Sequence, residues 1–132
     1  MKEQFVTYEI ALALKELGFD KQCLAYFRQD GTLKFILNPS MCTNTQLKGV
    51  NLLAAPLWQQ AIDWFREEKD IHVNITPSFN FELDIIDGYN ISDIYNSKTE
   101  TLYMATNEDD YDSYYKAREQ AILKAIELCK NN

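Results

Sequence analysis

Apolar positions along the chain change period several times. Ile10, Ala13, Leu14 and Leu17 recur at three- and four-residue spacing, which places them on one side of a helix. Thr7 stands where a hydroxyl can accept from an orphan amide, and Glu9 suits the positive helix end. Gly18 follows at the position where a left-handed backbone carries no Cβ penalty. Residues 22–37 read as a hairpin turning at Asp30-Gly31. With those two residues as a type I′ loop, Arg28 faces Leu33, Tyr26 faces Phe35 and Leu24 faces Leu37. That register makes Leu24, Tyr26, Leu33, Phe35 and Leu37 the apolar face. Cys23, Ala25, Phe27, Thr32, Lys34 and Ile36 form a mixed one.

Residues 38–51 read as a long polar loop, of a length often found in functional or mobile segments. Pro56 suits the first position of a second helix, which should run to about Lys69. Leu57, Trp58, Ala61, Ile62 and Phe65 give that helix a broad apolar face, with Trp64 at its margin. Ile71, Val73 and Ile75 then alternate with polar residues, as do Phe79, Phe81, Leu83 and Ile85 beyond Pro77-Ser78. A loop of three or five residues around Pro77-Ser78 keeps one apolar face and sets Val73 opposite Leu83 and Ile75 opposite Phe81. The same register sets Asn74 opposite Glu82 and His72 opposite Asp84. Thr99–Thr106 reads as a further strand. Ser113 caps a last helix reaching about Cys129, with Ala117, Ala121, Ile122, Ala125 and Ile126 on its apolar face.

These segments predict an α+β fold: a mainly antiparallel sheet of four to five strands with three helices, in the order α-β-β-α-β-β-(β)-α. The length of 132 residues suits a single domain over 1–132. The formal net charge of −7 argues against a general nucleic-acid surface, because phosphate binding rests on positive potential. No apolar run has the length of about 20 residues that spans a bilayer. The opening residues lack a signal-peptide pattern. A cytoplasmic protein without a membrane partner is the expectation.

Chemistry is sparse. Cys23, Cys42 and Cys129 match no metal or redox spacing, and Cys42 falls in the polar loop, where exposure is expected. His72 is the single histidine. In the register above it reaches Asp84, or Glu82 diagonally, so His72, Glu82 and Asp84 are the weak catalytic candidates for a small hydrolase-like enzyme. Cross-strand pairs of opposite charge are common in sheets, and no nucleophile stands nearby. The same three groups lack a recognised metal spacing. Glu108, Asp109, Asp110 and Asp112 are dense in carboxylate but lack the calcium-loop pattern. The reading therefore includes no cofactor and no metal.

Eight tyrosines, seven phenylalanines and two tryptophans bring aromatics to 13%. Aromatic side chains supply rigid amphipathic contact area at interfaces. Trp58, Trp64, Tyr103, Tyr114 and Tyr115 are the candidate interface residues, for a protein partner or self-association. The expectation is a non-enzymatic interaction or accessory protein, with the hydrolase as the alternative.

Several stretches occur together: Thr7-Tyr8-Glu9 with Leu17-Gly18-Phe19-Asp20, residues 55–61 with Trp64-Phe65-Arg66-Glu67, and Tyr111-Asp112-Ser113-Tyr114 with Ala117 and Ala121. In these the chain resembles a group of small phage- and prophage-associated proteins of Bacteroides-like bacteria that has no established activity. It departs from them in the middle loop and at Tyr115-Lys116. The resemblance implies a mobile-element accessory protein and names no reaction. The shared residues are those read as caps and packing positions.

Overall fold

The computed structural model describes residues 2–36, 42–104 and 111–131. The fold is mixed α+β with antiparallel sheets and several helices. The chain divides into two compact units, Met1–Ala61 and Ile62–Asn132. The first holds α1 (Tyr8–Glu16), β1 (Ala25–Phe27), β2 (Leu33–Phe35), α2 (Asn44–Leu47) and β3 (Leu53–Ala55), together with the first turn of α3 (Trp58–Lys69). The second holds the rest of α3, β4 (Ile71–Asn80), β5 (Ile85–Asn96), β6 (Thr101–Met104) and α4 (Tyr114–Lys130). Two separate three-stranded sheets, ordered β2-β1-β3 and β4-β5-β6, replace the expected single sheet.

In the first unit the helix ends are set by the residues the pattern indicated. The Thr7 hydroxyl accepts from the Ile10 amide at 3.3 Å. Gly18 has φ of +101°, the Phe19 amide donates to Leu14 O at 2.9 Å, and the Gly18 amide donates to Lys15 O at 3.0 Å. This pair of bonds satisfies the last carbonyls of α1 and turns the chain so that Phe19 is buried against the core.

The hairpin differs from expectation by one residue. Ala25 pairs with Phe35, Tyr26 with Lys34 and Phe27 with Leu33. Arg28 N donates to Thr32 O and Gly31 N to Arg28 O, both at 2.9 Å. The loop is therefore Gln29-Asp30-Gly31, with Gly31 at φ +85° and Asp30 Oδ1 accepting from the Thr32 amide. Asp-Gly serves a three-residue loop as well as a two-residue one, and the extra loop residue shifts the register. Cys23, Ala25 and Phe27 become the buried face, while Leu24 is exposed. Phe35 meets Phe5, and Phe27 meets Tyr8, in edge-to-face contacts.

The expected loop 38–51 contains regular structure from residue 43 onward; residues 38–41 lie outside the described ones. Thr43 and Gln46 form a reciprocal capping box on α2. β3 follows as a wholly buried strand paired with β1. Asn44 joins two layers: its Nδ2 donates to Phe19 O at 2.8 Å, and its Oδ1 accepts from the Ala54 amide at 3.0 Å. Pro56 stands two residues ahead of α3 rather than inside it. Leu57 precedes the helix: its carbonyl accepts from the Ala61 amide and its amide donates to Gln60 Oε1.

In the second unit the Ser113 hydroxyl accepts from the Lys116 amide and opens α4 as expected. Ala117, Ala121, Ile122, Ala125 and Ile126 are buried along that helix. Ile71, Ile91 and Ile94 are buried within the β4-β5-β6 sheet. The expected turn at Pro77-Ser78 does not occur. β4 runs straight through those residues, Pro77 pairs with Tyr89, and the chain turns at residues 81–84 instead. Proline is tolerated here because β4 is the edge strand of its sheet, where a missing amide interrupts no central ladder.

Candidate functional site

The corrected turn makes β4 and β5 into a long two-stranded ribbon. Its near part is buried through Ile71, Ile91 and Ile94, and β6 joins only at Ile94, Tyr95 and Asn96. From Phe79 to Asp87 all residues are exposed apart from half-buried Asn80. Phe81 is 87% exposed and Leu83 65%, and Phe79, Ile85 and Ile86 are exposed as well. The Phe79 and Phe81 rings meet edge to face at 4.9 Å. These side chains lie on both faces of the ribbon end, Phe79 and Ile86 on one and Ile85 on the other, and exposed apolar groups concentrated in one place mark an interaction surface.

Specific bonds shape this end of the ribbon. Asn80 Oδ1 accepts from the amides of Glu82 and Leu83, and Asn80 Nδ2 donates to Asp87 Oδ2. Asp84 adopts φ of +56°, a left-handed conformation that Asp tolerates better than most residues. Between Ser78–Gly88 and Phe79–Ile86 the register shifts, leaving Asp87 as an extra residue on β5. A second shift leaves Ser92 over, and its hydroxyl donates to Asn74 O. Bulges at both places bend and twist the ribbon while their side chains tie it together.

The predicted catalytic residues do not meet. His72 lies opposite Tyr95, whereas Glu82 and Asp84 are in the turn beyond Asn80. Eight residues of strand separate His72 from Asn80, about 26 Å at ~3.3 Å per residue. A turn at Pro77-Ser78 would fold that distance to nothing, and β4 instead continues through those residues. His72 instead lines a shallow depression of about 360 Å³ with Asn74, Asp93, Tyr95, Ser97 and Leu102. Asn74 Nδ2 donates to Asp93 Oδ1 there. Among the described residues no cluster of three histidine, cysteine or acidic side chains could hold a metal ion.

The five candidate interface residues fall in different places. Trp58 and Trp64 are buried, at 6% and 5% exposure. Trp58 Nε1 donates to Glu3 O at 3.1 Å, and Trp64 packs edge to face on Phe65 with Lys69 over its ring. Tyr103 is half-buried at a bulge in β6. Tyr114 and Tyr115 are exposed at the start of α4. Arg118, one turn further on, places its guanidinium 5.6 Å from the Tyr114 ring centre and 5.2 Å from that of Tyr115. Burial pulls the Arg118 pKa below the ordinary guanidinium value, and the two tyrosines oppose that shift. Tyr89 completes the cluster against Tyr114, and its backbone exchanges two 2.8 Å bonds with Tyr111. Glu108, Asp109 and Asp110 of the carboxylate-dense stretch lie outside the described residues.

Sequence reasoning missed the ribbon end because alternating Phe79, Phe81, Leu83 and Ile85 imitate a strand with a covered face. Asn80 was the available signal, since its side chain readily bonds the backbone two residues on and so starts turns.

Cys42 is fully buried, contrary to the exposure expected of a polar loop. Its thiol donates to Ala25 O at 3.2 Å. Burial, and then the nearby Cys42, push the Cys23 thiol up to about 12. Burial also raises Cys42. Both folded values lie above that of an unfolded thiol, about 8.5. The stability these neutral thiols supply is therefore complete below that pH and is lost as pH rises toward 12. Half-buried Cys129 should react first with iodoacetamide in the native protein, and Cys23 and Cys42 only on unfolding. Mass spectrometry of the alkylated sites checks this; early labelling of Cys23 would contradict the packing.

No known protein family, curated protein or solved structure matches the chain. No helix among the described residues is long and apolar enough to cross a membrane.

Proposed function

We propose that the chain is a non-enzymatic interaction or accessory protein that uses the far end of the β4–β5 ribbon as its contact surface. The observation that supports this reading is the exposed group Phe79, Phe81, Leu83, Ile85 and Ile86 on a turn held by Asn80. A turn ordered by its own side chain presents aromatic and aliphatic groups with little conformational entropy left to lose on binding. An accessory role in a phage or prophage accords with the resemblance described above. The hydrolase alternative requires His72 beside Asp84 or Glu82, and it has no such juxtaposition to draw on.

The test is photo-crosslinking in the native host. A benzophenone amino acid at position 81 should yield discrete light-dependent adducts, whereas the same group at exposed position 12 on α1 should yield none. Adducts from position 12 with none from position 81 would remove the ribbon as the contact surface.

A further inference from the structure

The charge along the ribbon narrows the partner's chemistry. Between residues 71 and 97 the chain carries Glu82, Asp84, Asp87 and Asp93 and no Lys or Arg. Three of these carboxylates lie within the same short stretch as Phe81, Leu83, Ile85 and Ile86, and all three residues are exposed. The apolar patch is thus interleaved with negative charge alone. Resting on the interaction reading above, we propose that the ribbon end docks on a basic protein surface, one that receives Phe81 and Leu83 in an apolar recess flanked by Lys or Arg.

Charge favours this occupant over others. A second copy of the chain would bring the same acidic ribbon against the first, and like charges across an interface disfavour the encounter. Anionic lipid meets the same repulsion. A cationic surface instead gains from every exposed carboxylate, which accelerates association and fixes orientation while the apolar groups supply burial. Asp87 serves both purposes, because it also accepts from Asn80 Nδ2 and so holds the turn.

The experiment uses the full chain and a fluorescently labelled amphipathic helical peptide of leucine and lysine, with a leucine–glutamate peptide of equal length as comparison. Anisotropy should report binding of the lysine peptide alone, weakening as salt rises. The double variant Glu82→Gln/Asp84→Asn should weaken it about tenfold, and Phe81→Ser/Leu83→Ser at least as much. Glu16→Gln/Glu119→Gln removes the same net charge elsewhere and should leave binding nearly unchanged. Equal loss in that control would show that the whole protein's field, and not the ribbon, attracts the peptide, and would overturn the proposal. Binding of the glutamate peptide would overturn it too, as would binding of zwitterionic vesicles with no peptide bound. If neither peptide binds and sedimentation shows self-association that Phe81→Ser/Leu83→Ser abolishes, the basic partner is rejected while the ribbon remains a contact surface. Absence of crosslinks from position 81, with or without adducts from position 12, is the separate result that removes the ribbon as the contact surface on which this proposal rests.

Discussion

Replacing Phe19 by alanine is expected to lower stability by about 3–5 kcal/mol, a large share of the roughly 5–15 kcal/mol that holds a domain together. Phe19 is fully buried and follows the left-handed Gly18. Its amide closes α1 on Leu14 O, and its carbonyl accepts from Asn44. The backbone is thus fixed on both sides, so the neighbours cannot relax far into the space a missing ring leaves. Urea unfolding followed by fluorescence of buried Trp58 and Trp64 measures the change. A midpoint within error of the parent would show that the Phe19 ring is not packed.

Asn44→Ala should cost about 2–4 kcal/mol, because it strands the Phe19 carbonyl and the Ala54 amide together. Asn44→Asp separates the two bonds. A carboxylate can still accept from the Ala54 amide, but it offers no donor to Phe19 O and faces that oxygen with negative charge. Burial and that repulsion raise the introduced acid's folded pKa above its unfolded value near 3.9. Its deficit relative to the parent should therefore be smallest below about pH 4 and should grow as pH rises through the folded pKa. Paired unfolding curves across pH check the sign; a deficit that shrinks with rising pH would place Asn44 in a different setting. Effects at Phe19 and Asn44 should not add, since the two residues share a bond.

Local signals were legible where one residue type answers one geometric need. Thr7, Gly18 and Ser113 mark helix ends in the sequence and occupy them in the structure. The buried face of α4 follows from spacing alone, whereas on α1 spacing identifies Ile10 and Leu14 but misses buried Ala11 and includes half-buried Ala13 and Leu17. Strand pairing was less legible. Asp30-Gly31 locates a turn but not its length, and one residue of difference exchanges the buried and exposed faces of β1. The Thr43–Gln46 capping box and the short apolar run before Pro56 were readable signs of α2 and β3. Pro77 misled most. Taken as a turn, it brought His72 and Asp84 together; as an edge-strand residue, it leaves them at opposite parts of a ribbon. The candidate surface was hidden for the same reason, since alternation of apolar residues signals a strand whether or not any layer covers it. Trp58 and Trp64 show the converse: aromatic identity draws attention to a surface role, and burial decides otherwise.

The exposed ribbon end exists because the chain reverses at residues 81–84 between β4 and β5. Cross-strand nuclear Overhauser effects read that directly. A reversal at residues 81–84 gives contacts joining Ser78 to Gly88, Thr76 to Asn90 and His72 to Tyr95, with Phe81 near Phe79 and in water. Contacts joining Val73 to Leu83, Ile75 to Phe81 and His72 to Asp84 would bury the patch, restore the acid–imidazole pair and contradict the account.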